Sequence, residues 1–158
     1  MSYQIHIQNE QGYDIEIRRL QIAASTVLQQ HNIAADSILT VVITSNNAVR
    51  NLNRLHRRLN APTDVLSFPA DPLPAELADE GNYLGDIIIA HDYALAQAQR
   101  LDHDFHESLA LLVIHGVLHL LGYDHVIAPQ KAEMWTAQAN ALKALGLSED
   151  LVPGLEGN

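Results

Sequence analysis

The sequence predicts an α+β domain in which helices cover a small sheet. Three observations carry that reading. Strand-like alternation and β-branched runs concentrate in the first part of the chain, and three helical patterns close it. No Pro-, Gly- or Ser-rich linker and no internal repeat divides the 158 residues, a length that suits one domain. Apolar residues make up 47% and charged residues 18%, enough for a sizeable core and too apolar for a long disordered tail.

Taken in order, Tyr3, Ile5 and Ile7 alternate with Gln4, His6 and Gln8, the period of a half-buried strand. Tyr13, Ile15 and Ile17 resume the alternation after a turn at Gly12, so this stretch predicts a hairpin. Leu20, Ala23, Ala24, Val27 and Leu28 recur at helical spacing within 20–30, and the β-branched run 38–44 predicts a central strand. Ser45 is placed to cap a helix beginning near Asn46. On it Arg50, Arg54, Arg57 and Arg58 are predicted to share one face, with Leu52, Leu55 and Leu59 turned inward and Pro62 ending the helix. Val65 to Phe68 reads as a short extended segment closed by Pro69. Asp71 to Asn82, with Pro72, Pro74 and Gly81 among acids, reads as an exposed loop, and Leu84 to Ala90 as a strand. Helices follow over about 92–101, 105–121 and 129–145.

Composition narrows the function. The apolar run Leu109 to Leu121 is too short for a bilayer span and is interrupted by two histidines and a glycine, so no membrane partner is expected. The N-terminal residues carry no secretory pattern, which makes the cytoplasm the expected compartment. Zero cysteines exclude disulfides, thiolate nucleophiles and cysteine-ligated metals, so any metal must be held by His, Asp or Glu. A net charge of −10 argues against a polyanionic partner, but the segment Arg50 to Arg58 holds four of the nine basic residues and no acid. That local patch is free to meet phosphate, or simply to solvate a helix face.

The strongest chemical signal is His115-Gly116-Val117-Leu118-His119-Leu120-Leu121-Gly122-Tyr123-Asp124-His125. His115 and His119 are four apart, so on a helix their imidazoles project from one face. Gly122 is suited to a left-handed helix end that swings His125 back toward that face. The result is three nitrogen ligands with an open position, a set that favours Zn²⁺ among the metals imidazole accommodates. His6, His31, His56, His91, His103 and His106 lack this arrangement. Zinc peptidases place a glutamate directly after the first histidine, and Gly116 stands there instead. Peptide hydrolysis would therefore need a base from elsewhere, whereas RNA brings its own 2′-hydroxyl nucleophile.

These residues resemble the YbeY family of bacterial endoribonucleases. The resemblance is carried by Val49-Arg50-Asn51-Leu52-Asn53, by Pro62-Thr63-Asp64-Val65-Leu66-Ser67-Phe68-Pro69, by Leu84-Gly85-Asp86-Ile87 and by His115 to His125, in order over most of the chain. It implies that residues 1–158 are one YbeY-like metal-dependent hydrolase domain. The implied fold is zincin-like, with a small mixed four-stranded sheet packed with helices and the metal site on a helix of the C-terminal half. It implies one Zn²⁺ held by His115, His119 and His125, and a catalytic arginine five residues before the Pro-Thr-Asp segment, which is Arg57. The activity implied is single-strand-specific cleavage of ribosomal RNA, in 16S rRNA 3′-end maturation and small-subunit quality control, with small ribosomal subunit components as partners. Two positions depart from the family pattern. His56 and Arg58 flank Arg57 where the family has an aromatic residue and a glycine, and Val126-Ile127-Ala128-Pro129 follows His125 where the family commonly has acids. Arg57 has an alternative reading as an ion-pair partner for the abundant acids. Asp64, Asp86 and Asp124 read either as acceptors for imidazole N–H groups or as turn and strand-end caps. Two rival functions stand beside the nuclease: a zinc peptidase or amidase with a relocated base, and a non-catalytic ribosome-assembly factor whose metal pins a helix.

Overall fold

The computed structural model describes residues 2–71 and 82–151. In chain order the elements are β1 (Gln4–Gln8), α1 (Ile17–Gln30), β2 (Ser37–Thr44), α2 (Asn46–Arg57), β3 (Val65–Pro69), β4 (Asn82–Ala90), α3 (His91–Arg100), α4 (Phe105–Leu120) and α5 (Ala128–Ala144). The mixed α+β expectation holds: the strands form a four-stranded sheet in the order β1-β2-β4-β3, in which β3 alone runs antiparallel to its neighbour. Most of the predicted loop Asp71 to Asn82 lies outside the described residues. No helix among the described residues is long and apolar enough to cross a membrane.

The hairpin expected from Tyr3 to Ile17 does not form. Gln4–Gln8 pairs in parallel with β2, Ile5 opposite Leu39 and Ile7 opposite Val41, and Ile17 opens a helix. Asn9 explains the difference. Its side-chain amide donates to the Tyr13 carbonyl at 2.8 Å and its side-chain oxygen accepts from the Tyr13 N–H at 3.0 Å, so the backbone groups a hairpin ladder would use are already taken. Tyr13 and Ile15 still pack against the core, which is why their alternation looks like a strand.

One face of the sheet carries the main core. Ile5, Leu39, Val41, Ile43, Ile87 and Ile89 meet α1 and α4 there, and α5 packs on those two helices. Every residue of α4 from Leu109 to Leu118 is buried, as expected of a helix apolar on all sides. The opposite face is covered by α2, through a smaller cluster of Val49, Leu66, Ile88 and Ala90 with Leu52 and Phe68 packed on it. Ser45 caps α2 as predicted, its hydroxyl accepting from the Ala48 N–H at 3.1 Å. The far end differs from expectation. Arg58, at φ 58°, is the left-handed cap of α2, so the helix stops well before Pro62 and Arg58 leaves the face shared by Arg50, Arg54 and Arg57. Leu55 and Leu59 are 70% and 49% exposed instead of turned inward. Leu55 falls off the inward stripe of buried Val49 and Asn53 and half-buried Leu52, and Leu59 lies beyond the cap.

Two glycines permit close approach between layers. At Gly85, φ is 140°, and a Cβ would stand 2.3 Å from the Phe68 carbonyl oxygen across the β3–β4 pair. At Gly116, a Cβ would stand 2.8 Å from Cγ2 of Ile87, so α4 lies directly on β4. That contact sets the height of the C-terminal half of α4 above the sheet, beside the edge strand β3.

Candidate metal centre

His115 and His119 sit one turn apart on α4, and His125 follows the helix end. The turn is built as the sequence suggests. Gly122 adopts φ 104°, its N–H donates to the His119 carbonyl at 3.0 Å, and the Tyr123 N–H donates to the Leu118 carbonyl at 3.0 Å. This pair of bonds is a Schellman ending, which satisfies the last carbonyls while reversing the chain. Asp124 then accepts from the His125 backbone N–H at 2.7 Å. The three imidazoles converge, with one ring nitrogen from each lying within 4.8 Å of the others. His115 and His125 are buried and His119 is partly exposed, so the cluster is closed toward the core and open on one side.

Hydrogen bonds on the far nitrogens orient two of the rings. Nδ1 of His115 lies 2.6 Å from Oε1 of Gln138 on α5, and Nδ1 of His119 lies 3.0 Å from the Tyr123 carbonyl. Both partners only accept, so each Nδ1 carries the proton and each Nε2 keeps its lone pair. The two Nε2 atoms face one another at 3.1 Å. Two lone pairs at that separation repel unless a cation lies between them, so the donor set fits a metal ion. Trp135 packs edge-on against His115 and His125, with ring centroids 6.1 and 5.5 Å away, and Lys131 lies over the indole at 5.3 Å. Tyr123 is itself held by His31 of α1, whose Nε2 lies 3.0 Å from the phenol oxygen.

Among the acids, Asp64 is fully buried at the start of β3, where it accepts from the Val65 N–H at 2.8 Å and from the Gln97 amide at 2.9 Å. It thereby ties the edge strand to α3. Asp86 points to the sheet face opposite α4 and accepts from the Tyr83 hydroxyl. Burial, and then that bond to Asp86, push the Tyr83 phenol above its ordinary range. The acceptors facing Nδ1 of His115 and of His119 are an amide and a carbonyl. Gln138 was the residue sequence reasoning missed, although a glutamine on the buried stripe of Met134, Ala137, Ala141 and Leu142 is a polar group in need of a partner.

A cleft of about 380 Å³ opens beside the histidines along β3, bordered by His56, Arg57, Ser67, Phe68, Pro69 and His119. It brings Arg57, from the last turn of α2, to the same opening as a histidine of the cluster. The Ser67 hydroxyl donates to the Gly116 carbonyl at 3.4 Å and joins β3 to α4 across the floor. His56, which sequence spacing left outside the metal-ligand arrangement, also borders this cleft.

Comparison with known proteins gives a consistent result. The family model described as Endoribonuclease YbeY matches residues 5–146. The Endoribonuclease YbeY of Chloroflexus aurantiacus is 37% identical over 154 residues, covering 95% of this chain and 100% of the relative. That of Roseiflexus castenholzii is 39% identical over 139 residues, covering 86% of this chain and 87% of the relative. The solution structure of TM1509 from Thermotoga maritima superposes with a TM-score of 0.56 at 23% identity, covering 97% of this chain and 99% of that one, a likeness of fold.

Proposed function

The chain belongs to the YbeY family of endoribonucleases, hydrolases acting on RNA, and from that premise we propose that it is a zinc-dependent endoribonuclease of single-stranded ribosomal RNA. In this reading one domain, residues 1–158, works in the cytoplasm in 16S rRNA 3′-end maturation and small-subunit quality control, alongside small ribosomal subunit components. The observation that carries it is the convergence of His115, His119 and His125 within 4.8 Å, with the far nitrogens of two of the rings set against oxygen acceptors.

His115, His119 and His125 are the residues that would hold one Zn²⁺, an all-imidazole set that leaves a position open. When bound, such an ion supplies Lewis-acid stabilisation of charge gathering on a phosphoryl oxygen. The chain's own residues supply the rest. Arg57 brings a permanently charged, planar guanidinium to the cleft, where it engages a phosphate through paired N–H groups. Gln138 and the Tyr123 carbonyl keep the rings from turning. Gly116 against Ile87 argues against the peptidase alternative, because the position that carries the base in zinc peptidases faces β4 and has no room for a side chain.

The test is metal analysis of the purified protein together with cleavage of defined single-stranded and duplex RNA by wild type, His119→Ala and Arg57→Ala. The expected outcome is about one metal per chain in the wild type and in Arg57→Ala, and loss of metal in His119→Ala. Arg57→Ala is expected to lose cleavage by roughly 100-fold or more, the scale for removing a charge-stabilising donor. Unchanged cleavage in Arg57→Ala would remove that residue from the mechanism, and cleavage of peptides but no RNA would favour the rival hydrolase.

A further inference from the structure

The cleft beside the histidines has an aromatic wall that phosphate chemistry does not use. His56 in the last turn of α2 and Phe68 on β3 meet with ring centroids 5.0 Å apart and planes 62° apart. His56 is exposed and Phe68 half-buried, so the pair forms a corner with open ring surface. Arg57 is the next residue after His56, and both border the same space of about 380 Å³. That volume lies in the range of small-molecule pockets and accommodates a flat heterocycle beside a charged group.

We propose that the His56–Phe68 corner is a nucleobase subsite, which receives the base of a nucleotide flanking the scissile phosphate while Arg57 engages that phosphate. This rests on the endoribonuclease reading and deepens it. A base that stacks on one ring presents its edge to the other, the two arrangements in which aromatic rings attract. Stacking accepts any of the four bases, because each has a π-face, so the subsite selects for an accessible base more than for its identity. Only an unpaired base can enter, since a base in a duplex is already stacked on both faces. The corner therefore gives a physical origin for preferring single strands, located in this chain's own residues and independent of the metal.

The test uses the full-length, zinc-loaded protein and a single-stranded RNA with one cleavage site, in which the base on either side of that site is removed in turn, leaving the ribose and phosphates intact. Binding is measured on the same RNAs made non-cleavable. Wild type is expected to lose roughly 5- to 100-fold in affinity and in kcat/KM for one of the two abasic RNAs, the range for one stacked base. His56→Ala is expected to treat intact and abasic RNA nearly alike, at the level of wild type on the abasic strand. His56→Phe, which keeps a ring and removes the titratable nitrogens, is expected to restore the discrimination. No penalty for either abasic RNA in wild type, or the full penalty retained in His56→Ala, overturns the subsite while leaving the nuclease reading intact. Failure to bind or cleave any RNA overturns both.

Discussion

His115 and Gln138 meet at 2.6 Å in a place where neither side chain is more than 3% exposed, so the bond has no water to replace it. Removing the acceptor strands the imidazole N–H and frees the ring to take its other tautomer, with the lone pair aimed away from the cluster. Gln138→Leu, close in volume, is expected to weaken metal affinity by about 10- to 100-fold, while Gln138→Glu, which keeps an acceptor, holds it within a few-fold of wild type. Competition titration with a chromogenic chelator checks both, and equal affinity in the leucine variant would show that Gln138 does not orient the ring. The legibility of the centre divides along the same line. His115, His119 and His125 lie within eleven consecutive residues, and a helix period plus one glycine bend is enough to predict their convergence. Gln138 comes from another helix, and no local period links it to His115. The same holds for His56, which reaches the cleft from the last turn of α2, just before the helix stops, while the other walls come from β3 and α4.

At the scale of elements, that stopping point is the telling case. Arg58 occupies a left-handed conformation at φ 58°, where any side chain with a Cβ is strained and glycine is not. Arg58→Gly is therefore expected to stabilise the protein by up to about 1 kcal/mol, the left-handed strain released less the freedom glycine adds to the unfolded chain, read as a rise in the urea midpoint with an unchanged slope. Cleavage by the same variant should persist, because Arg57 borders the cleft whereas Arg58 serves as the helix cap. The sequence suggested four arginines on one face because spacing alone does not reveal where a helix ends. The N-terminal hairpin was misread for a related reason. Tyr13, Ile15 and Ile17 alternate over too few residues to separate strand from helix entry, and the Asn9 side chain decides the matter. β2, β4 and the three C-terminal helices were legible because each is long or strongly periodic, and the short β3 because Pro69 closes it; their observed bounds differ from the expected ones by only a residue or so at most ends.

For the whole molecule, the histidine cluster joins parts of the fold that the sheet does not. Its rings come from α4 and the turn beyond, their orientation from α5, and Tyr123 reaches α1 through His31. An ion bound there favours the folded state by mass action, about 2.7 kcal/mol at a free concentration one hundred times the dissociation constant. Chelation is accordingly expected to lower Tm by several degrees in the wild type and to leave the Tm of His119→Ala unmoved, as read by calorimetry with and without chelator. An identical shift in both would place the effect elsewhere. The close seating of α4 on β4 also limits which residues position 116 can acquire. Gaining a glutamate at position 116 requires Ile87 to shrink first, and shrinking Ile87 alone hollows a packed interior. Each step costs packing without the other, so a paired change at 116 and 87 is the smoother route from this scaffold toward the arrangement of the zinc peptidases.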